Sequence, residues 1–261
     1  WSSDVCSSDL QEYESLAKDI FKSITQSMGQ FCTKPGLIIG IASEEFSKFT
    51  DHLSSLIHDC AAEPMLHEGI LHNYETNRSA ILKDKNVTGL ASSNTAVPSG
   101  AGIPSLASVS ATNFIENPEL HREVFGPFSL IVTCSDVIEM ETVARSLEGQ
   151  LTATLIASAE ELTNNSKLLD SLKMIAGRII CNGVPTGVEV CLSMHHGGPF
   201  PASSDSRFSS VGGDAIKRFA RPVSFQNWPD ALLPDELKNS NPLNIWRTVN
   251  NELTKDPVKP I

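Results

Sequence analysis

Between residues 106 and 181 the chain alternates short apolar runs with amphipathic stretches, and few folds accommodate that order. Residues 106–114, 128–133, 151–157 and 178–181 read as strands. Asp136 precedes an amphipathic stretch at 137–147. Ser158-Ala159-Glu160-Glu161 opens another, running to about Ala176, with the spacing of a capping box. In that motif the hydroxyl and the carboxylate satisfy free amides of the first helical turn. Strands in regular exchange with helices imply parallel β-α-β units. The fold class expected is therefore α/β, an open, mainly parallel sheet with helices on both faces.

The flanking segments fit around that unit. In residues 11–28, Leu16, Ile20, Ile24 and Met28 recur every four positions, which makes one face of an amphipathic helix. Residues 37–41 read as a buried strand, and 46–60 and 65–82 as helices, the second opening behind Pro64. The Ser-, Gly-, Thr- and Asn-rich stretch 87–104 reads as a loop or short hairpin. Beyond Asn182 the chain is rich in Gly, Pro and Ser; a last strand is expected at 222–226, and 228–261 is a proline-punctuated tail. Residues 1–10 resemble one reading frame of a sequencing-adapter oligonucleotide. They are set aside as an artefact, Cys6 included, leaving 11–220 as one α/β domain and 221–261 as a late strand and tail.

Composition removes several classes of function. With 31 acidic against 20 basic residues and a net charge of −11, no basic patch is available to neutralise phosphates, so nucleic acid is not an expected partner. No apolar run approaches the roughly 18 residues of a membrane span, so no membrane partner is expected either. The six cysteines have no C-x-x-C and no regular spacing, which points to a reducing, cytoplasmic compartment. The sequons at Asn77, Asn86 and Asn164 then read as chance matches. Neither His195-His196 nor the His67, Glu68, His72 group has metal-ligand spacing, and no metal is expected. Gly100-x-Gly102 is too short for a dinucleotide fingerprint. Cys60, Cys134 and Cys181 sit in apolar stretches and read as core.

Cys32 stands apart, in a glycine-bounded loop between a helix and a strand, where backbone amides can face a developing charge. A free thiol ionises near pH 8.5 and needs assistance to act as a nucleophile at neutral pH; a buried structural cysteine is the alternative. The octet Gly29-Gln30-Phe31-Cys32-Thr33-Lys34-Pro35-Gly36 resembles the nucleophile loop of the aldehyde dehydrogenase superfamily. Glu123-Val124-Phe125-Gly126-Pro127 resembles that family's second signature, and the two occur in the family's order.

The resemblance implies a mechanism. The Cys32 thiolate attacks an aldehyde, the oxyanion is held by the Cys32 amide and a side-chain amide, and hydride passes to NADP or NAD. Water then releases a carboxylic acid from the thioester. It also implies that Glu123 accepts the nicotinamide-ribose hydroxyls and that Phe125 packs beside the ring; Arg122 stands where the family usually carries another acidic residue. The family's oxyanion-hole asparagine, general-base glutamate and dinucleotide-binding fold precede the cysteine. The expectation is thus a C-terminal catalytic half, inactive alone, with the dinucleotide-binding domain outside this chain.

Asn182-Gly183-Val184-Pro185-Thr186-Gly187, His195-His196-Gly197-Gly198-Pro199 and Arg221-Pro222-Val223-Ser224-Phe225-Gln226-Asn227 narrow the resemblance. They are similar to α-ketoglutaric semialdehyde (2,5-dioxopentanoate) dehydrogenases and related NADP-dependent fatty aldehyde dehydrogenases. Gly197 to Gly213 resembles the glycine-rich segment that closes over the family's substrate tunnel. Residues 221–227 resemble the late strand that joins subunits, so a homo-oligomer is expected when the protein is complete. A non-catalytic assembly or binding module that retains the cysteine is the alternative of a different class.

Overall fold

The computed structural model describes residues 2–6 and 13–258. The chain divides into two compact units, Trp1–Arg218 and Phe219–Ile261.

The first unit begins with β1 (Ser2–Cys6), α1 (Tyr13–Thr25), β2 (Pro35–Ile41), α2 (Glu44–Asp59) and the two-residue β3 (Glu63–Pro64). It continues through α3 (Glu68–Leu82), β4 (Thr88–Ser92), the two-residue β5 (Ala101–Gly102), β6 (Ser105–Ser110) and α4 (Ala111–Glu116). Then come β7 (Phe128–Cys134), α5 (Val137–Ser146), β8 (Gln150–Ile156), α6 (Ala159–Asn164), α7 (Ser166–Ile175) and β9 (Ala176–Cys181). Seven strands form one sheet in the order β4-β6-β7-β2-β1-β8-β9, parallel except where β4 runs antiparallel to β6 at the edge. This is the expected α/β class.

Alternating residues of β2 face opposite layers. Ile38 joins Ile20 and Ile24 of α1 and Phe46, Phe49 and Leu53 of α2 on one side. Leu37 and Ile39 face the other, with Phe114 of α4, Met140 and Val143 of α5 and Leu172 of α7. Burial on both faces is why β2 and β7 read as continuous apolar runs. Each fully buried Leu, Ile or Phe contributes about 1.5–3 kcal/mol of transfer free energy.

Several boundaries differ from the sequence reading, for local reasons. The helix expected at 65–82 starts at Glu68, because the His67 ring nitrogen accepts from the Gly69 and Ile70 amides. The stretch 87–104 contributes β4, an edge strand with no buried residue, whose polar sequence hid it. The strand expected at 106–114 stops at Ser110, which caps α4 by accepting from the Asn113 amide. The helix behind the Ser158 capping box, which forms as expected, is interrupted at Asn165. Of the helix expected at 11–28, residues 11 and 12 lie outside the described residues, and the last turn is a separate, tighter one at Gln26–Gly29. Residues 2–6, set aside from fold reasoning, lie between β2 and β8. The facing edges of those strands offer backbone donors and acceptors that any extended peptide can meet.

The second unit has little regular structure. A hairpin of β10 (Arg247–Val249) and β11 (Glu252–Thr254) is held by Arg247, which donates to the Asn239 carbonyl at 2.8 Å. Asn241 donates to the Lys255 carbonyl at 2.7 Å. No strand forms at 222–226, contrary to the sequence reading: the segment is exposed and makes no ladder. A strand needs a partner edge, and Pro222 can donate nothing to one. Among the described residues no helix is long and apolar enough to cross a membrane.

Candidate active site

The tight turn Gln26–Gly29 delivers the chain from α1 to Cys32 through three successive residues of positive φ: Ser27 (49°), Met28 (55°) and Gly29 (62°). Glycine at position 29 meets two demands at once. It takes the left-handed conformation freely, and a Cβ there would collide with the Gly126 carbonyl. The two signature loops therefore meet backbone to backbone.

All of the expected site residues gather at the amino edge of the parallel sheet. Cys32 lies just before β2, Glu123 and Phe125 just before β7. They line one open cleft of about 970 Å³, together with Arg122, Gln150 and Pro201. Open α/β sheets usually place ligands at the carboxyl edge, so this arrangement is the reverse. The carboxyl edge holds a separate, mainly apolar cavity of about 360 Å³ beside Ile41, Met140 and Leu155, and Cys32 is not in it.

The residue that sequence reasoning missed is His196. Its Nε2 lies 3.2 Å from the Cys32 Sγ. Paired glycines explain how a residue so distant in sequence arrives there. A Cβ on Gly177, at the start of β9, would strike the Gly197 carbonyl, and one on Gly198 would strike the Gln150 carbonyl at the start of β8. The segment 196–198 thus lies directly across the strand ends. Its backbone is fixed: the His196 amide donates to Ser209 Oγ, and its carbonyl accepts from the Ser210 amide, each at 2.9 Å. Gly197-Gly198 after the histidine was the available signal, since paired glycines allow a close backbone approach.

The electrostatics suit a neutral imidazole. Burial lowers the His196 pKa, and the nearby positive charges of Arg178 and His195 act in the same direction. Its Nδ1 is buried with no hydrogen-bond partner, so nothing on that side fixes the tautomer. Arg178 is held by the Pro185 carbonyl at 2.7 Å, and that loop is tied to α1 through Thr186 and Ser23 hydroxyls 2.8 Å apart.

The remaining sequence candidates separate. Cys134 is buried, and burial pushes its thiol up to about 12. Cys60 is only half-buried, and Cys181 is exposed at the end of edge strand β9, contrary to the core reading, because β9 has a ladder partner on one side only. His67 is a helix cap, and among the described residues no three His, Cys, Asp or Glu side chains cluster to hold a metal.

Fold and site together define an α/β domain whose open cleft holds a cysteine with a histidine beside it. No family model matches the sequence. The alpha-ketoglutaric semialdehyde dehydrogenase of Acinetobacter baylyi is 43% identical over 244 residues, covering 93% of this chain and 46% of that protein. Alpha-ketoglutaric semialdehyde dehydrogenase 2 of Azospirillum brasilense is 42% identical over 234 residues, covering 90% and 45%. Among solved structures, succinic semialdehyde dehydrogenase from Streptococcus pyogenes in complex with NADP+ matches with a TM-score of 0.60 at 17% identity, over 75% of this chain and 43% of that one. The chain belongs to the aldehyde dehydrogenase superfamily. It spans about half the length of the curated relatives it matches.

Proposed function

We propose that this chain is the C-terminal, catalytic half of an NAD(P)-dependent dehydrogenase that oxidises α-ketoglutaric semialdehyde to the carboxylic acid. The observation that carries the reading is the Cys32 thiol, 3.2 Å from His196 Nε2, in the cleft that also holds Glu123 and Phe125.

His196 takes the thiol proton on Nε2, and its lowered pKa keeps it unprotonated and able to do so near neutral pH. The Cys32 thiolate then forms a C–S bond to the aldehyde carbon while the carbonyl electron pair moves onto oxygen. The backbone amide of Cys32 is one donor to that oxyanion. An exposed carboxylate at Glu123, with Phe125 beside it in the cleft, fits the ribose end of a dinucleotide. A nicotinamide bound there supplies the hydride acceptor. Cys32 carries the resulting acyl group as a thioester, and hydrolysis breaks the C–S bond and returns the thiolate.

Both relatives named for this activity support the substrate assignment, and the NADP+ of the succinic semialdehyde enzyme supports the cofactor class. Val223 and Phe225, 59% and 40% exposed, support a role for residues 221–227 in pairing with a second copy. The test is a kinetic comparison with the complete protein. α-Ketoglutaric semialdehyde is expected to give the highest kcat/KM against glycolaldehyde, succinic semialdehyde and long-chain aldehydes, with NADP accepted. Preference for long-chain aldehydes would replace the substrate assignment, and no aldehyde-dependent cofactor reduction at all would overturn the function.

A further inference from the structure

Lys34, two residues after the nucleophile, is 3% exposed, although lysine is almost never fully buried without partners. Its Nζ donates to the Phe128 carbonyl at 2.6 Å and to the Val124 carbonyl at 3.3 Å. Val124 is the residue between Glu123 and Phe125. An ammonium has the three donors that such a double contact requires.

The position of this contact gives it meaning. The backbone ladder between β2 and β7 begins at the pair Leu37 and Leu130. Beyond it, at the amino edge, no ladder pair joins the two strands, yet this is where Cys32 and Glu123 project into the cleft. Side chains take over there. Ser129 Oγ donates to the Pro35 carbonyl at 2.6 Å, and Lys34 reaches one turn further into the Glu123 loop. Tyr74 lies against Gly126 behind that loop, and its hydroxyl donates to the Ile103 carbonyl at 2.5 Å with the Pro127 carbonyl 3.4 Å away. Burial pulls the Lys34 pKa down to about 8, with Glu123 opposing the change. An apolar side chain of the same length would avoid that desolvation, so the charge needs a reason beyond filling space.

We infer that Lys34 is a positioning residue, a brace that sets the Glu123–Phe125 loop relative to Cys32 and thereby presents the nicotinamide end of the cofactor to the thiol. This rests on the dehydrogenase reading above, and Lys34 touches neither substrate nor cofactor.

The test uses the complete enzyme with Lys34→Met and Lys34→Gln. Three quantities are measured: kcat and cofactor KM for aldehyde oxidation, and cofactor-independent hydrolysis of p-nitrophenyl acetate at Cys32. Lys34→Met is expected to lower kcat/KM for NAD(P) roughly tenfold, the equivalent of one charge-assisted bond. Ester hydrolysis should stay within about twofold, because the thiol loop keeps its own turn. Lys34→Gln, which keeps two donors on a side chain one atom shorter, should recover part of the loss. Unchanged cofactor kinetics in both variants, or equal loss of oxidation and ester hydrolysis, would overturn the inference; so would failure of both variants to fold, which would make Lys34 structural. A wild-type enzyme that hydrolyses the ester but never reduces cofactor would instead refute the dehydrogenase reading.

Discussion

Replacing His196 by Ala isolates the step that distinguishes a nucleophilic cysteine from an inert one. The substitution removes the imidazole 3.2 Å from the Cys32 Sγ. It leaves the backbone contacts to Ser209 and Ser210 in place, so the segment should keep its path. A thiol ionising near 8.5 without help is only a few per cent thiolate at pH 7. Loss of a positioned general base should therefore slow attack by Cys32 at that pH by roughly 100-fold, the lower end of what one such group contributes. The deficit should shrink as the pH rises and hydroxide takes over the work of the imidazole. At the acid end the sign runs the other way for the wild type. Burial, Arg178 and His195 lower the His196 pKa, so its base form persists through neutrality and fails only below the ordinary histidine range. The assay is the pH profile of iodoacetamide alkylation at Cys32, read by peptide mass spectrometry in the complete protein. Parallel wild-type and His196→Ala profiles at every pH would refute the pairing as a proton transfer.

The other predictions follow from the same geometry. Glu123→Gln should slow aldehyde oxidation or change its rate-limiting step, and leave ester hydrolysis at Cys32 much less affected; equal loss of both would make Glu123 structural or the base. Gly177→Ala forces a Cβ into the Gly197 carbonyl. It should destabilise the fold by about 1–3 kcal/mol, and displace His196 enough to reproduce part of the His196→Ala profile. Chemical denaturation and alkylation kinetics measure the two effects, and an unperturbed profile would contradict the proposed packing.

What was legible in the sequence was local. The Ser158 box names its own partner three residues away, and β2 and β7 announce themselves because both their faces are covered. The two signature loops were equally readable, since residue types and order carry them. What stayed hidden depended on distant chain. His196 reads as half of an ambiguous histidine pair until the fold lays segment 196–198 across the starts of β8 and β9. The partners of Lys34 were equally hidden, because nothing local reveals that the carbonyls of Val124 and Phe128 lie within its reach. Strand β4 escaped because an exposed edge needs no apolar alternation. At 222–226 β-branched and aromatic residues alternate as in a strand, and within one copy of the chain the segment makes no ladder.

The central claim is that Cys32 carries the acyl group during aldehyde oxidation. The complete protein, mixed with α-ketoglutaric semialdehyde and NAD(P) and quenched in acid within a single turnover, should yield a mass increase equal to the acyl group. Peptide mapping should place that increase on Cys32, and Cys32→Ala should show neither adduct nor cofactor reduction. Sustained cofactor reduction by Cys32→Ala, or an acyl adduct on any other residue, would contradict the account.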